Sequence, residues 1–224
     1  MANNFTLASS CFMQIRQLIL TGELLPGERI KGEYLKNRLQ VGLSPIREAL
    51  SRLVTTGLVE VVDNAGFRVA SLSQEKIVDS FQSLAKLEAL LLREAIESGD
   101  ESWEAQIMAS LYRLSKIEAN NLKIPHSLWS TRNDEFHEAL IAGCRLYGLK
   151  QMRQTFLTFK EWCYGLAYPG LNEELVMVSH QEHAQIAELA ITRKADAACT
   201  MIYKHTLHNL ATLSLRLQKF GYLI

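Results

Sequence analysis

Between Ser44 and Val69 the chain spells out a capped amphipathic helix running straight into a hairpin. Few folds accommodate that pair. Ser44 is a good N-cap, and Pro45 at the first helical position has no amide hydrogen to leave unbonded. Ile46, Ala49, Leu50, Leu53 and Val54 then recur with the spacing of one buried helix face, and Gly57 stops the helix. Val59-Glu60-Val61-Val62 and Phe67-Arg68-Val69 read as two short strands, with Asp63-Asn64-Ala65-Gly66 turning between them. Upstream, Phe12, Ile15, Leu18 and Ile19 predict a first helix that ends near Gly22, and Pro26-Gly27 makes a turn. A second, short helix carries Leu35 and Leu39 inward, with Gly32 at its N-cap, and Val41-Gly42-Leu43 separates it from the third. Helix, helix, helix and hairpin are the layout of a winged helix-turn-helix.

In such a unit the second helix of the helix-turn-helix pair enters the major groove of DNA. With its apolar stripe turned to the core, that helix leaves Ser44, Arg47, Glu48 and Ser51 outward. Arg47 is the strongest candidate contact, since a guanidinium bonds bidentately to guanine or phosphate. Ser44 and the free amides at the helix start suit a phosphate oxygen, and Pro45 beside them joins the expected DNA contacts. Lys36 and Arg38 stay solvated on the preceding helix, and Asn64, Gly66 and Arg68 lie at the hairpin tip; all five join the set of expected DNA contacts. Residues 1–72 hold 8 Lys+Arg against 6 Asp+Glu, while the whole chain is neutral. That mild positive bias permits DNA binding without demanding it. The competing reading is a winged helix used only for protein–protein contact.

From Ser73 onward the texture is all helix. Apolar periodicity predicts helices over 74–98, 102–119, 125–143, 148–167, 177–192 and 194–218, joined by short loops into an antiparallel bundle. With only 12 Gly and 4 Pro in 224 residues, a sandwich or barrel is excluded. The fold class is therefore mainly α: a winged helix-turn-helix over 1–72 and an all-helical bundle over 73–224. No apolar run reaches the roughly 18 residues of a membrane span, and the start has neither a basic nor a continuous apolar leader segment. Cys11, Cys144, Cys163 and Cys199 form no CxxC pair. Reduced, mostly buried thiols in the cytoplasm are expected.

The bundle segment carries all six histidines. Asn133 and His137 are one helical turn apart on one face, and His183 and His205 sit among apolar residues of two other predicted helices. Three imidazoles and one side-chain oxygen are a donor set for a divalent cation with positions left open. The plainer reading is three hydrogen-bonded or surface histidines. A cation with an open position also activates water, so a metal-dependent hydrolase-like enzyme built on the bundle is the rival class. It would need a general base, and Asp134 and Glu135 are turned away from the Asn133–His137 face. No GxSxG, P-loop or HExxH is present.

The residues Leu24-Leu25-Pro26-Gly27-Glu28 and Leu43-Ser44-Pro45-Ile46-Arg47-Glu48-Ala49-Leu50, continued by Thr56-Gly57-Leu58-Val59 and Gly66-Phe67-Arg68-Val69, resemble the signature of GntR-type bacterial transcriptional regulators. The helical remainder is similar to the FadR subfamily and its ligand-sensing FCD domain. Gly66-Phe67-Arg68-Val69-Ala70-Ser71 and Leu114-Ser115-Lys116-Ile117-Glu118 point within it to CsiR-like regulators. The resemblance implies a homodimeric, effector-responsive regulator, expected to be a repressor of a small-carboxylate catabolic pathway, with operator DNA and a small organic acid as partners. It also implies that Asn133, His137, His183 and His205 hold a divalent metal, zinc first, with nickel or manganese as alternatives. His180 and His208 are alternative ligands or outer partners. Three departures matter. Gly42-Leu43 stands where the family has Ser-Arg, which shifts weight onto Arg47 and the wing. Asn133 stands where a carboxylate is common. Leu84 occupies the slot, four before Glu88, where many relatives place a pocket Arg. Leu84, Glu88, Trp162 and Tyr164 are the expected effector-pocket residues.

Overall fold

The computed structural model describes residues 6–63, 66–118, 126–168 and 173–223, excluding the side chains of 126, 127, 173–175 and 177. Asn64 of the expected DNA contacts lies outside the described residues. So do the breaks expected at Asn120-Asn121 and Pro169-Gly170.

The first helix, α1 (Leu7–Leu20), starts at Thr6, whose Oγ1 accepts a hydrogen bond from the Ser9 amide at 3.1 Å. It buries Cys11, Ile15, Leu18 and Ile19. Helix α2 (Gly32–Leu39) follows, then α3 (Leu43–Thr55), which buries Ile46, Ala49, Leu50 and Leu53. Each buried Leu or Ile here is worth about 1.5–3 kcal/mol relative to exposure. Both helices begin earlier than their sequence signals suggest, α2 by one residue and α3 by two. Lys31 caps α2, so Gly32 is its first helical residue, and Gly42 caps α3, which puts Ser44 and Pro45 inside the first turn. Pro is tolerated there because the first four amides of a helix have no intrahelical acceptor.

The hairpin is present as β2 (Val59–Val62) and β3 (Gly66–Val69), and a further strand, β1 (Arg29–Ile30), completes an antiparallel sheet of order β1-β3-β2. Two residues are too short to show a period of two, so β1 has no sequence signature of its own. Its pairing sets Arg29 opposite Arg68, and on the other side Glu60 faces Arg68.

Among the described residues seven further helices follow: α4 (Gln74–Ser98), α5 (Glu101–Glu118), α6 (His126–Leu140), α7 (Tyr147–Ala167), α8 (Glu173–Ile191), α9 (Ala195–Leu207) and α10 (Leu210–Lys219). The last predicted helix is thus two, interrupted at His208-Asn209 without a Gly or Pro to announce it.

The chain divides into two compact units, Met1–Val78 with Leu157–Pro169 and Thr212–Ile224, and Asp79–Phe156 with Gly170–Ala211. In the first, Gly165 of α7 approaches α1 so closely that a Cβ would lie 2.5 Å from the Leu20 carbonyl oxygen. Trp162, Cys163 and Leu166 of α7 and Leu213 and Leu217 of α10 are buried there. Arg216 donates from Nε to the Ala167 carbonyl at 3.0 Å and lies over the Tyr168 ring. The second unit has an apolar core built from Leu91, Leu92, Ile107, Phe136, Ile186 and Ile202, among others. Among the described residues no helix is long and apolar enough to cross a membrane. All four cysteines are free and buried.

Candidate functional site: an exposed basic helix face and a buried histidine cluster

On α3 the residues opposite the apolar stripe, Ser44, Arg47, Glu48 and Ser51, are exposed, and Pro45 is half-buried. Arg47 has no ion pair among the described residues. Arg52, one turn further, bonds Ser9 Oγ at 3.2 Å and covers the Phe12 ring, so it braces α1 against α3. On α2, Lys36 and Arg38 are exposed but lie 3.4 Å from Glu33 and 3.5 Å from Glu23. Exposed pairs of this kind are worth little and open readily. Gly66 and Arg68 are exposed at the wing. The register adds Arg29, exposed beside Arg68, a basic residue that sequence reading misses because β1 is invisible to it.

In the second unit α6, α8 and α9 bring His137, His183 and His205 together. One ring nitrogen from each lies within 4.8 Å of the others. The ring centroids are 4.8 to 5.4 Å apart. Asn133 is half-buried, one turn before His137 on the same face of α6. His183 is fully buried, and neither of its ring nitrogens has a hydrogen-bond partner among the described residues. An unbonded polar atom in such a place costs about 1–3 kcal/mol. Three converging imidazoles, one with an unanswered lone pair, fit a divalent cation of the borderline kind.

Two carboxylates back the cluster. Glu118, at the end of α5 and 1% exposed, sits 2.8 Å from His180 Nδ1 and 3.3 Å from His183 Nδ1, and accepts from Trp129 Nε1 at 3.2 Å. The His183 contact is at ion-pair distance but is not aligned as a hydrogen bond. Glu182 of α8 lies 2.7 Å from His205 Nδ1 and 3.1 Å from His208 Nδ1. Burial alone would raise both carboxyl pKa values. His183, His180 and Trp129 around Glu118, and His205, His208 and His183 around Glu182, outweigh it and hold both below the ordinary range. His180 and His208 therefore stand on the carboxylates rather than in the triad.

Of the expected pocket residues, Leu84 is 1% exposed and Glu88 is buried. Glu88 accepts from Arg153 Nε at 2.8 Å, and Arg153, 2% exposed, also pairs with Glu138. The positive charge missing at position 84 is thus present on α7, already matched to acids. Trp162 and Tyr164 belong to the first unit, where Trp162 meets Phe159 edge-on at 6.0 Å and Tyr164 stacks on Tyr168 at 5.7 Å. An open groove of about 870 Å³ runs along the outside of α5 and α6, past Gln106, Arg113, Thr131, Glu138 and Lys150. None of the clustered histidines lines it, and its shallow, open form does not suit a small ligand.

Sequence reading missed Arg153, Glu118 and Glu182. The pairs His180/His183 and His205/His208, each three residues apart, were visible. Their shared carboxylates were not, because each comes from a different helix.

Comparison with known proteins bears on the whole chain. Residues 7–69 match the profile "Bacterial regulatory proteins, gntR family", and residues 79–208 match the FCD domain. The HTH-type transcriptional repressor GlaR of Escherichia coli K12 is 34% identical over 84% of this chain and 87% of its own. The uncharacterized HTH-type transcriptional regulator BphR of Paraburkholderia xenovorans LB400 is 30% identical over 91% and 84%. Among solved structures, E. coli McbR/YncC superposes with a TM-score of 0.73 at 17% identity, covering 96% of this chain and 99% of that one, a likeness of fold. Nothing in these likenesses supports a hydrolase. The chain belongs to the gntR family of bacterial regulatory proteins, in the branch that carries an FCD domain, and is a DNA-binding transcription regulator rather than an enzyme.

Proposed function

We propose that this regulator is a cytoplasmic, homodimeric repressor whose hold on operator DNA is set by a small organic acid sensed in a metal-bearing helical domain. The working division is a DNA-binding segment over 1–72 and a sensing and dimerising segment over 73–224. Arg47 reads the major groove, with Ser44, Pro45 and Ser51 beside it on α3. Lys36, Arg38, Asn64, Gly66 and Arg68 contact the backbone or minor groove. The similar protein named a repressor supports the sign of regulation. Four free, buried thiols agree with a reducing compartment. Two-fold symmetric operators supply the logic of the dimer.

The observation that carries the sensing half is the convergence of three imidazoles from three helices. His137, His183 and His205, with the Asn133 side-chain oxygen, hold the divalent cation, zinc before nickel or manganese. A cation so held supplies a Lewis-acidic position for a carboxylate oxygen. Leu84 and Glu88 of α4 are the pocket residues nearest this reading. Trp162 and Tyr164 contribute through packing of α7, which supplies residues to both units. Effector binding shifts the population of bundle packings, and with it the fraction of dimer able to span two half-sites.

The test is the metal content and DNA binding of purified full-length protein. His183→Ala is expected to lose the metal and the response to small carboxylates, while unliganded protein binds its operator within about threefold of the parent. Equal metal content in variant and parent would remove His183 from the ligand set.

A further inference from the structure

Resting on the metal reading above, we infer that Glu118 and Glu182 are positioning residues that hold His183 and His205 by their Nδ1 edges and provide, from outside the ligand ring, the negative charge that Asn133 lacks. Both sides of the cluster set one carboxylate against two Nδ1 edges, although the aligned hydrogen bond goes to the outer ring, His180, at Glu118 and to the inner ring, His205, at Glu182. Glu118 approaches His183 with Oε1 and His180 with Oε2; Glu182 approaches His205 with Oε2 and His208 with Oε1. Each carboxylate thus spans one inner and one outer imidazole three residues apart in the chain: His183 with His180 before it on α8, and His205 with His208 just past the end of α9. The inner side chains are 0% and 8% exposed, the outer ones 35% and 45%.

An imidazole that donates from Nδ1 keeps its lone pair on Nε2. Glu182, bonded to His205 Nδ1 at 2.7 Å, selects the tautomer whose Nε2 faces a cation. Glu118, 3.3 Å from His183 Nδ1 but not aligned as a hydrogen bond, favours the same tautomer by its charge, and the buried Nε2 of His183 has no hydrogen-bond partner among the described residues. A carboxylate behind a ligand imidazole also raises its basicity. With a neutral amide at position 133, the inner donors carry no formal charge, so a divalent cation would be buried uncompensated. Two carboxylates one bond-path further out balance it. A nitrogen-rich, neutral inner set of this kind takes Zn²⁺, Ni²⁺ or Co²⁺ ahead of Mg²⁺ or Ca²⁺. Glu118 itself is almost fully buried, a costly place for a carboxylate unless several donors need it.

The experiment uses full-length protein stripped of metal, with Zn²⁺ affinity read by competition against a chromophoric chelator. Histidine tautomers are read by ¹⁵N NMR of the Zn²⁺-loaded parent. Two imidazoles are expected to show a protonated Nδ1 and a metal-bound Nε2. Glu118→Gln and Glu182→Gln keep an acceptor and remove the charge; each should weaken Zn²⁺ about tenfold, and Glu118→Ala, which removes both, about a hundredfold. Asn133→Asp should gain more Zn²⁺ affinity in the Glu118→Gln background than in the parent, a coupling that a purely structural role for Glu118 would not give. Gln variants that bind Zn²⁺ within twofold of the parent overturn the inference, as does a parent spectrum with both rings metal-bound through Nδ1. If a variant fails to fold, the parent spectrum decides alone. A parent that takes up none of Zn²⁺, Ni²⁺ or Co²⁺ brings down the metal reading and this inference together; a parent that binds while the variants are unaffected brings down only the inference.

Discussion

The two units place their charged groups in opposite settings. On α3 and the wing, Arg47 and Arg68 stand exposed on elements whose cores are sealed by other residues, such as Ile46, Leu50 and Val69. In the helical unit, Glu88, Glu118, His183 and Arg153 are all buried, and each is answered or awaited by a group from another helix. Recognition of a large polyanion needs charge in solvent, where it can be lost without harm to the fold. Recognition of something small needs charge in the interior, where it is part of what holds the helices in place. The exposed charges of α3 and the wing are therefore separable from stability, and the buried charges of the helical unit are not.

The sharpest way to break that contrast is Arg153→Ala. It leaves Glu88 buried without its counter-charge, and a loss of about 3–5 kcal/mol in urea unfolding is expected. The double change Arg153→Leu with Glu88→Leu should recover most of it. If the single change is silent, the buried charges of the helical unit are not structural. Arg47→Ala is the opposite case: about 1–3 kcal/mol lost from operator binding, measured by titration at fixed salt, with the unfolding midpoint unchanged. Gly165→Ala probes packing in the first unit without touching charge. Its new methyl meets the Leu20 carbonyl, so about 1–3 kcal/mol of stability should go, whereas Gly148→Ala, with open space around it, should be neutral or better. The smallest expected signal concerns Cys163. Burial drives its thiol pKa far up, so it should stay unmodified by a thiol reagent in the native protein and react only on unfolding.

Much of the front unit is legible because its information is local. The stripe from Ile46 to Leu53 and the hairpin residues report on their own neighbours within a few positions, and the elements appear where those patterns lie. The misplaced N-cap of α3 and the unseen β1 mark the limit of that reading: Ser44 competes with Gly42 for the cap, and a two-residue strand exists only through its partner β3. The long helices were equally local, apart from the break at His208-Asn209, where no Gly or Pro interrupts the period. Its two halves fall largely in different compact units, a division that no run of residues encodes. Within the candidate site, Asn133 with His137 could be paired by spacing on one helix. The carboxylates could not, since Glu118 reaches α8 from sixty-two residues away in sequence.

What the amino-acid order determined alone is the element types, the exposed face of α3, and the family to which the motif Pro26-Gly27-Glu28 with Pro45-Ile46-Arg47-Glu48 belongs. Periodicity and caps act over one or two helical turns, so a linear reading captures them. What only the tertiary structure decided is which buried groups meet: Arg153 with Glu88, Glu118 with His183, Glu182 with His205. Pairings of this sort depend on how several helices rotate and settle against one another. That outcome comes from close packing of the whole interior, and no single stretch of chain contains it.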